Sequence, residues 1–290
     1  MTQLPSFIVI GAGKSGTTSL HQYLSQHPQI YLCPQKETFY FTSEKNRANH
    51  AKYGAIQTFE DYAALFADAA PTQAIGEIST TYYAHPQSAS LIHDLLPTVK
   101  ILAILRNPIE RAFSDYQMHV NEGHEKRSFE KVMEPDVKYV KSGFYYAQLK
   151  PYFELFDSSQ IKIWLYEDYC QNIHAFLASF FTFIDVDPHF QPDTSQRGRV
   201  GGVPKRQWVR HLLNEKNPIR TVSATALKTV MPLATRQRIR AYLLRQNTQR
   251  LDLDPTSYAQ LAAIYRDDIL QLQDLLHRDC SHWLTPGAKL

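Results

Sequence analysis

Nine residues, Gly11-Ala-Gly-Lys-Ser-Gly-Thr-Thr-Ser19, follow directly on the apolar run Phe7-Ile-Val-Ile10 and constrain this chain more than anything else in it. The run is short, rich in β-formers and closed by glycine, and the pattern from Ser15 to Gln26 turns helical, so the segment predicts a strand, a tight turn and a helix. Backbone N–H groups at the start of such a helix, with the positive end of its dipole behind them, form an anion site, and glycines let the chain wrap a phosphate. A capped Gly-Ser-Thr turn without a ligand is the plainer alternative. The pattern departs from the NTPase P-loop, which needs lysine directly after the second glycine. Here Thr17 follows Gly16, and the lysine stands forward at Lys14, where its ammonium could reach a leaving-group oxygen.

Short apolar runs recur at Ile30–Cys33, Ala74–Ile78, Lys100–Leu105 and Ile161–Tyr166, with helical periodicity between them at Gln87–Leu96 and Ala147–Phe156. Such alternation predicts an α/β fold with a central parallel sheet and crossover helices on both faces. After Asp185 a polar loop rich in Pro and Gly runs from 187 to 204. Helices are predicted beyond it at Lys205–Asn214, Ser223–Thr229, Thr235–Gln246 and Pro255–Leu276, the last with Tyr258, Leu261, Ile264, Tyr265, Ile269, Leu272 and Leu276 on one stripe. We expect a single domain over residues 1–290, with an α/β core at 1–186, a loop at 187–204 and a helical C-terminal part at 205–290.

With 43% hydrophobic residues the chain can bury a core, which excludes disorder for most of it. A net charge of +3 is too small to argue for a nucleic-acid partner. The charge is unevenly spread, because Lys205 to Arg250 holds eleven Lys or Arg and one acid, Glu215. That block is either the solvated faces of surface helices or a surface for something anionic. Cys33, Cys170 and Cys280 show no zinc or redox spacing, and no basic leader or membrane-length apolar stretch is seen, so a soluble cytoplasmic protein is expected.

A second segment strengthens the phosphate reading. Leu102-Ala-Ile-Leu-Arg-Asn-Pro-Ile-Glu-Arg-Ala-Phe-Ser-Asp-Tyr116 predicts a buried strand ending at Arg106, a helix opened by Pro108, and Ser114 on that helix. An arginine at the C-terminal edge of a parallel sheet points toward the usual ligand crevice, and its planar fork suits phosphate oxygens. An ion pair with Glu110 or Asp115 is the alternative. Taken together, Lys14-Ser-Gly-Thr-Thr-Ser-Leu20 and this Arg-Asn-Pro segment resemble the 5′-phosphosulfate and 3′-phosphate motifs of sulfotransferases that use 3′-phosphoadenosine 5′-phosphosulfate (PAPS). Lys36-Glu-Thr-Phe-Tyr-Phe41 is similar to the Lys-Glu-aromatic segment of their glycan-modifying and bacterial members. Gly76-Glu-Ile-Ser-Thr-Thr-Tyr82 is similar to their Gly-Glu-x-Ser-Pro-x-Tyr segment, and Ser142-Gly-Phe-Tyr145 with Gln148 and Tyr152 resembles their Gly-x-Tyr helix start.

The resemblance implies a P-loop-like three-layer α/β fold and transfer of a sulfuryl group from PAPS to a hydroxyl or amine of a saccharide, lipid or small-molecule acceptor, without a metal. It assigns Lys14, Ser15, Gly16, Thr17, Thr18 and Ser19 to the 5′-phosphosulfate and Arg106 and Ser114 to the 3′-phosphate. Gly202, Lys205 and Arg206 are assigned to a loop closing over the cofactor, with Arg197-Gly-Arg199 as another frame for it. Lys14 and Glu37 become the catalytic candidates, one stabilising the leaving oxygen and the other removing the acceptor's proton. Such a base needs a carboxylate within reach of the acceptor and a pKa raised by partial burial. A surface pair between Glu37 and Lys36 is the plain alternative, and His119 and His85 compete as bases because small-molecule members use histidine. Ile78 stands where many glycan sulfotransferases have lysine, and Thr80 replaces the motif's proline, which weighs against an acidic heparan-like acceptor. A P-loop-type kinase or nucleotide hydrolase, and a non-enzymatic polyanion or membrane-surface binder, are the competing classes.

Overall fold

The computed structural model describes residues 3–195, 203–204, 248–249 and 252–287. Strands β1 (Phe7–Gly11), β2 (Ile30–Leu32), β3 (Ala74–Ile78), β4 (Lys100–Leu105) and β5 (Ile161–Leu165) form one sheet in the order β2-β3-β1-β4-β5, every pair parallel. Around it run α1 (Thr17–Leu24), α2 (Glu44–His50), α3 (Phe59–Ala64), α4 (Ser88–Leu95), α5 (Pro108–Glu122), α6 (Lys138–Lys141), α7 (Tyr145–Leu155), α8 (Tyr166–Gln171) and α9 (Ile173–Phe183), and then the long helix Pro255–Leu276.

Alternation along the strands sorts side chains into two layers. Phe7, Val9, Leu102 and Ile104 pack with Leu20 and Leu24 of α1 and Phe176, Phe180 and Phe181 of α9. Ile8, Ile10, Ile101 and Ala103 face the other way, onto Ile109 and Ala112 of α5, Leu149 and Tyr152 of α7, and Leu261, Tyr265 and Ile269 of the long helix. The result is the expected three-layer, P-loop-like arrangement with helical C-terminal residues packed on the core.

From β1 the chain builds β2 and β3 on one side of the sheet, then crosses to β4 and β5 on the other, with α1 and α5 on opposite layers. This is the topological switch at which a parallel sheet opens a crevice beyond its strand C-termini. A bulge between Val9 and Gly11 against β4 turns the chain out of the sheet there, with Ala12 N–H donating to the Ile104 carbonyl at 2.9 Å.

Strands Ala74–Ile78 and Lys100–Leu105 and the helix Pro255–Leu276 have the predicted bounds. The predicted helix at Ser15 starts instead at Thr17, because Lys14 (φ 75°) and Gly16 (φ 81°) are both left-handed. The helix predicted from Ala147 begins earlier, at Tyr145, because the Asp268 carboxylate of the long helix accepts the N–H groups of Tyr146 (3.0 Å) and Ala147 (3.2 Å). In the predicted loop at 187–204, Val203–Pro204 pairs antiparallel with Thr248–Gln249. The helices predicted at 205–214, 223–229 and 235–246 lie outside the described residues.

Candidate active site

The C-terminal ends of β1, β3, β4 and β5 lie on one edge of the sheet, and the residues singled out in the sequence gather there. After β1, left-handed Lys14 and Gly16 give the loop the alternating backbone of an anion-binding nest. Hydrogen bonding in α1 begins with Leu20 N–H to the Gly16 carbonyl at 3.0 Å, and Gly16 supplies no side-chain cap. The N–H groups of Thr17 and Thr18 therefore lack acceptors within the helix. Ser15 is fully enclosed, and its hydroxyl has no partner among the described residues. A polar atom enclosed in this way costs free energy unless something pairs with it. At Gly16 a Cβ would come within 3.1 Å of the Tyr166 ring and 3.2 Å of the Tyr169 ring, so glycine answers both a backbone and a packing need.

Lys14 places its ammonium 3.2 Å from the Met118 thioether on α5. Burial lowers its pKa, against the opposing pull of Asp115 and Glu122. Ser114 lies one turn before Met118 on the same helix face, so the loop after β1 and the Ser114 side of α5 adjoin. Arg106 joins them as well: one terminal nitrogen donates to the Lys14 carbonyl at 3.5 Å, and its guanidinium lies 5.2 Å from the centre of the Tyr166 ring. The ion pair anticipated as an alternative is also present, with Arg106 Nη2 2.8 Å from Glu110 Oε2, while Asp115 pairs with Arg111 at 3.6 Å. The strand-to-helix turn is well anchored. Asn107 caps α5 through Ile109 N–H (3.0 Å) and donates to the Tyr258 hydroxyl (2.8 Å), and the Tyr145 hydroxyl donates to the Arg106 carbonyl (2.9 Å).

Across the crevice, the turn after β2 carries Lys36 and Glu37. Lys36 Nζ donates to the Thr18 hydroxyl at 3.3 Å, which brings the turn to the first helical residues of α1. Glu37, left-handed at φ 61°, is bound to Thr80 instead of Lys36: its Oε1 accepts the Thr80 N–H (3.1 Å) and hydroxyl (2.7 Å). Among the described residues its Oε2 has only the Thr81 hydroxyl, at 3.5 Å. Burial raises the Glu37 pKa, and the Thr80 donors partly offset it. A proline at position 80 would have neither the N–H nor the hydroxyl, so the motif's departure at Thr80 creates both bonds that hold Glu37.

The two histidines considered as bases are engaged elsewhere. His119 Nδ1 contacts the Asp115 carbonyl at 2.9 Å beside the Tyr139 ring, and His85 faces Asn46 at 3.5 Å. Gly202, Lys205 and Arg206, with Arg197 and Arg199, lie outside the described residues. Strand β6 (Val203–Pro204) runs beside α5, the helix that bears Ser114.

A profile of the sulfotransferase family matches residues 5–192. The chain belongs to the sulfotransferase family. It is 39% identical over 117 residues to the membrane-associated sulfotransferase kil1 of Dictyostelium discoideum, covering 40% of this chain and 23% of that protein. It is 34% identical over 116 residues to the human bifunctional heparan sulfate N-deacetylase/N-sulfotransferase 2, covering 40% of this chain and 13% of that protein. Both alignments span less than a quarter of the relative's length. A sulfotransferase crystal structure from Alicyclobacillus acidocaldarius superposes with a TM-score of 0.73 and 27% identity, over 98% of this chain and 100% of that one. Among the described residues no helix is long and apolar enough to cross a membrane.

Sequence reasoning gave no role to Tyr166 or Glu77 of this sulfotransferase. Tyr166, the first residue of α8, underlies Arg106. Glu77 is fully buried in β3 and accepts four hydroxyl contacts, from Thr38 (2.6 Å), Ser79 (2.6 Å) and Tyr82 (2.7 Å) on Oε1 and from Tyr62 (2.6 Å) on Oε2. The Glu, Ser and Tyr of the Gly-Glu-x-Ser segment are thus one hydrogen-bonded cluster. A charged residue inside an otherwise apolar strand run was the available signal, since buried charges need partners.

Proposed function

We propose that this chain transfers a sulfuryl group from PAPS to a hydroxyl or amine of a saccharide, lipid or small-molecule acceptor, with lysine and arginine rather than a metal ion supplying the positive charge. The observation that carries the proposal is the convergence at the start of α1: Arg106 reaches it through the Lys14 carbonyl, and the Lys36-Glu37 turn reaches it through Thr18. An anion-binding nest, a phosphate-binding fork and a carboxylate thereby share one crevice.

The residues present fit PAPS. The enclosed Ser15 hydroxyl, unpartnered among the described residues, and the N–H groups of Thr17 and Thr18 suit a 5′-phosphosulfate, and Arg106 with Ser114 suits the 3′-phosphate. Gly202, Lys205 and Arg206 are our choice for the loop that closes over the nucleotide; β6 beside α5 supports that choice. When bound, PAPS supplies an activated sulfuryl group whose transfer leaves 3′-phosphoadenosine 5′-phosphate (PAP). The N–H groups of Thr17 and Thr18 and the Ser19 side of α1 would hold the anion. The Lys14 ammonium, resting on a weakly accepting thioether, turns to neutralise charge on the leaving oxygen. Glu37 takes the acceptor's proton on Oε2, the oxygen that Thr80 does not occupy. With the reactants in line, positioning and charge stabilisation carry most of the rate, as in phosphoryl transfer.

Ile78, apolar where many glycan sulfotransferases have lysine, is buried with Leu20 and Phe180, so this position offers no cation to an acidic acceptor such as the heparan sulfate named for one relative. A match over nearly the whole chain to a single bacterial sulfotransferase supports one domain, and three unpaired cysteines support a reducing cytoplasm. Calorimetric titration with PAP, and separately with ATP and magnesium, tests the reading on wild type and Arg106→Ala. Metal-independent PAP binding that weakens sharply in the variant is expected. Magnesium-dependent ATP binding without PAP binding would instead place the chain with phosphoryl-transfer proteins. PAP release measured over a panel of neutral saccharides, amino sugars, lipid headgroups and aromatic hydroxyls then identifies the acceptor.

A further inference from the structure

We propose that Glu77 is a positioning residue for Glu37: its buried carboxylate ties together the two chain segments between which Glu37 is held. This inference rests on Glu37 being the base. One segment is the Lys36-Glu37-Thr38 turn, bound through the Thr38 hydroxyl at 2.6 Å. The other is Ser79-Thr80, bound through the Ser79 hydroxyl at 2.6 Å, and Thr80 in turn holds Glu37 at 2.7 Å. A direct cross-link, Thr38 N–H to the Ser79 hydroxyl at 3.1 Å, closes the ring.

The cluster has no slack. Thr38 Oγ1, Tyr82 OH and Glu77 Oε1 form a triangle with sides of 2.6, 2.6 and 2.7 Å, in which the two hydroxyls direct their protons to Glu77 Oε1 and lie against each other. A carboxylate oxygen, which only accepts, can take both of these protons at once. Tyr62, brought in by α3, donates to the second oxygen at 2.6 Å, so both oxygens of the buried carboxylate are hydrogen-bonded. Thr38 and Glu77 are both fully buried, whereas Glu37 is only partly so. The arrangement is therefore a rigid base plate under a partly exposed carboxylate, which is how a reacting group is held to within a fraction of an ångström.

The titratable and charged groups near Glu37 and Glu77 are Lys36, Cys33, Tyr62 and Tyr82. The Glu77 charge adds slightly to the upward shift of Glu37 that burial causes. Neutralising position 77 removes that small contribution, and what separates a positioning role from loss of packing is rescue by Thr38→Ser and the absence of a further loss from Thr38→Val in the Glu37→Gln background.

The test compares kcat, KM for the acceptor, PAP affinity, the kcat–pH profile and thermal stability in five variants: Glu77→Gln, Thr38→Val, Thr38→Ser, Glu37→Gln and Glu37→Gln with Thr38→Val. Misplacing a reacting group by about 1 Å costs on the order of 100-fold, so Glu77→Gln and Thr38→Val are expected to lower kcat by roughly 10–100-fold while PAP affinity stays within about threefold. Thr38→Ser, which keeps the hydroxyl, restores kcat, and in the Glu37→Gln background Thr38→Val costs nothing further. Folded Glu77→Gln and Thr38→Val proteins with wild-type kcat would overturn the proposal, as would a full additional loss from Thr38→Val in the Glu37→Gln background. If Glu77→Gln does not fold, the Thr38 pair decides. Failure of the underlying base assignment has its own signature, a Glu37→Gln enzyme that keeps most of its activity.

Discussion

Replacing Glu37 by Gln separates chemistry from structure at this site. Glu37 Oε1 accepts two hydrogen bonds from Thr80, at 3.1 and 2.7 Å, and the amide oxygen of glutamine can accept both. Among the described residues the other oxygen has only the Thr81 hydroxyl, at 3.5 Å, which can turn to accept from an amide N–H. One weak contact is thus exchanged, and the folding cost should stay below about 1 kcal/mol. The rate should fall far more, because glutamine cannot take a proton: loss of a general base costs ~100–10,000-fold, about 3–5 kcal/mol of barrier. The pH profile gives an independent check. Burial holds the Glu37 pKa above its ordinary 4.5, so wild-type kcat should drop tenfold per pH unit below that raised value and be flat above it. Glu37→Gln should lose this limb. The assay is PAP release at saturating PAPS and acceptor, with thermal melting on the same samples. A variant that keeps more than roughly a tenth of wild-type kcat, or that retains the acid limb, would refute the assignment of Glu37 as base.

Other substitutions probe the remaining parts of the site. Lys14→Ala should lower kcat ~100–1000-fold, a loss read by single-turnover kinetics; it should leave stability nearly intact, since among the described residues the ammonium's hydrogen bond is to a thioether, at 3.2 Å. Thr80→Val removes a donor that lowers the Glu37 pKa, so the acid limb of kcat should move to higher pH; an unmoved limb would mean that the 2.7 Å bond is not made in solution. Gly76→Ala would put a Cβ 2.1 Å from Phe7 Cζ inside the sheet core, and overpacking of this kind costs ~1–3 kcal/mol or more, seen as a lower melting temperature or insoluble protein. Asp268 has its pKa raised to about 6 by burial, despite accepting the α7 N–H groups. The native pKa lies above the unfolded one, so its contribution to stability is full below about pH 4 and is lost as pH rises through 6, on the order of 3 kcal/mol. The melting-temperature difference between wild type and Asp268→Asn should therefore favour wild type more at pH 4 than at pH 7.5, and a pH-independent difference would contradict it.

The parts of the fold that were legible in the sequence are those that local patterns specify. Ala74–Ile78 and Lys100–Leu105 are strands because apolar residues sit on both faces of each, and Pro255–Leu276 is a helix because an apolar stripe runs its length behind an Asp254 cap. Where boundaries moved, a distant or conformational cause is visible. The first helix begins at Thr17 because Lys14 and Gly16 adopt left-handed backbone, which propensity does not reveal at a lysine. The start of α7 is set by Asp268, more than a hundred residues away in the chain. Even so, Asp268 was conspicuous: it stands on the core-facing side of its helix between Tyr265 and Ile269, and a carboxylate in that place requires donors.

For the site, spacing identified which residues meet but not how they are held. Lys14 and Arg106 were assigned by motif to the 5′-phosphosulfate and the 3′-phosphate, and the fold brings the Arg106 guanidinium within 3.5 Å of the Lys14 carbonyl; the resting place of the Lys14 ammonium on Met118 depends on the side-chain packing of α5 and was not readable. Thr80 is the instructive case. Read against the resemblance, it was a missing proline and a sign of divergence. In the structure its N–H and hydroxyl are what bind Glu37, and a proline could provide neither. A departure from a motif is thus informative about mechanism when the replacing residue has hydrogen-bonding groups that the motif residue lacks. Here it predicts that Thr80→Pro, although it restores the family pattern, should release Glu37 from both donors and raise its pKa further than Thr80→Val does, shifting the acid limb of kcat more. If the two variants gave the same limb, the backbone N–H bond at 3.1 Å would contribute nothing to holding the base.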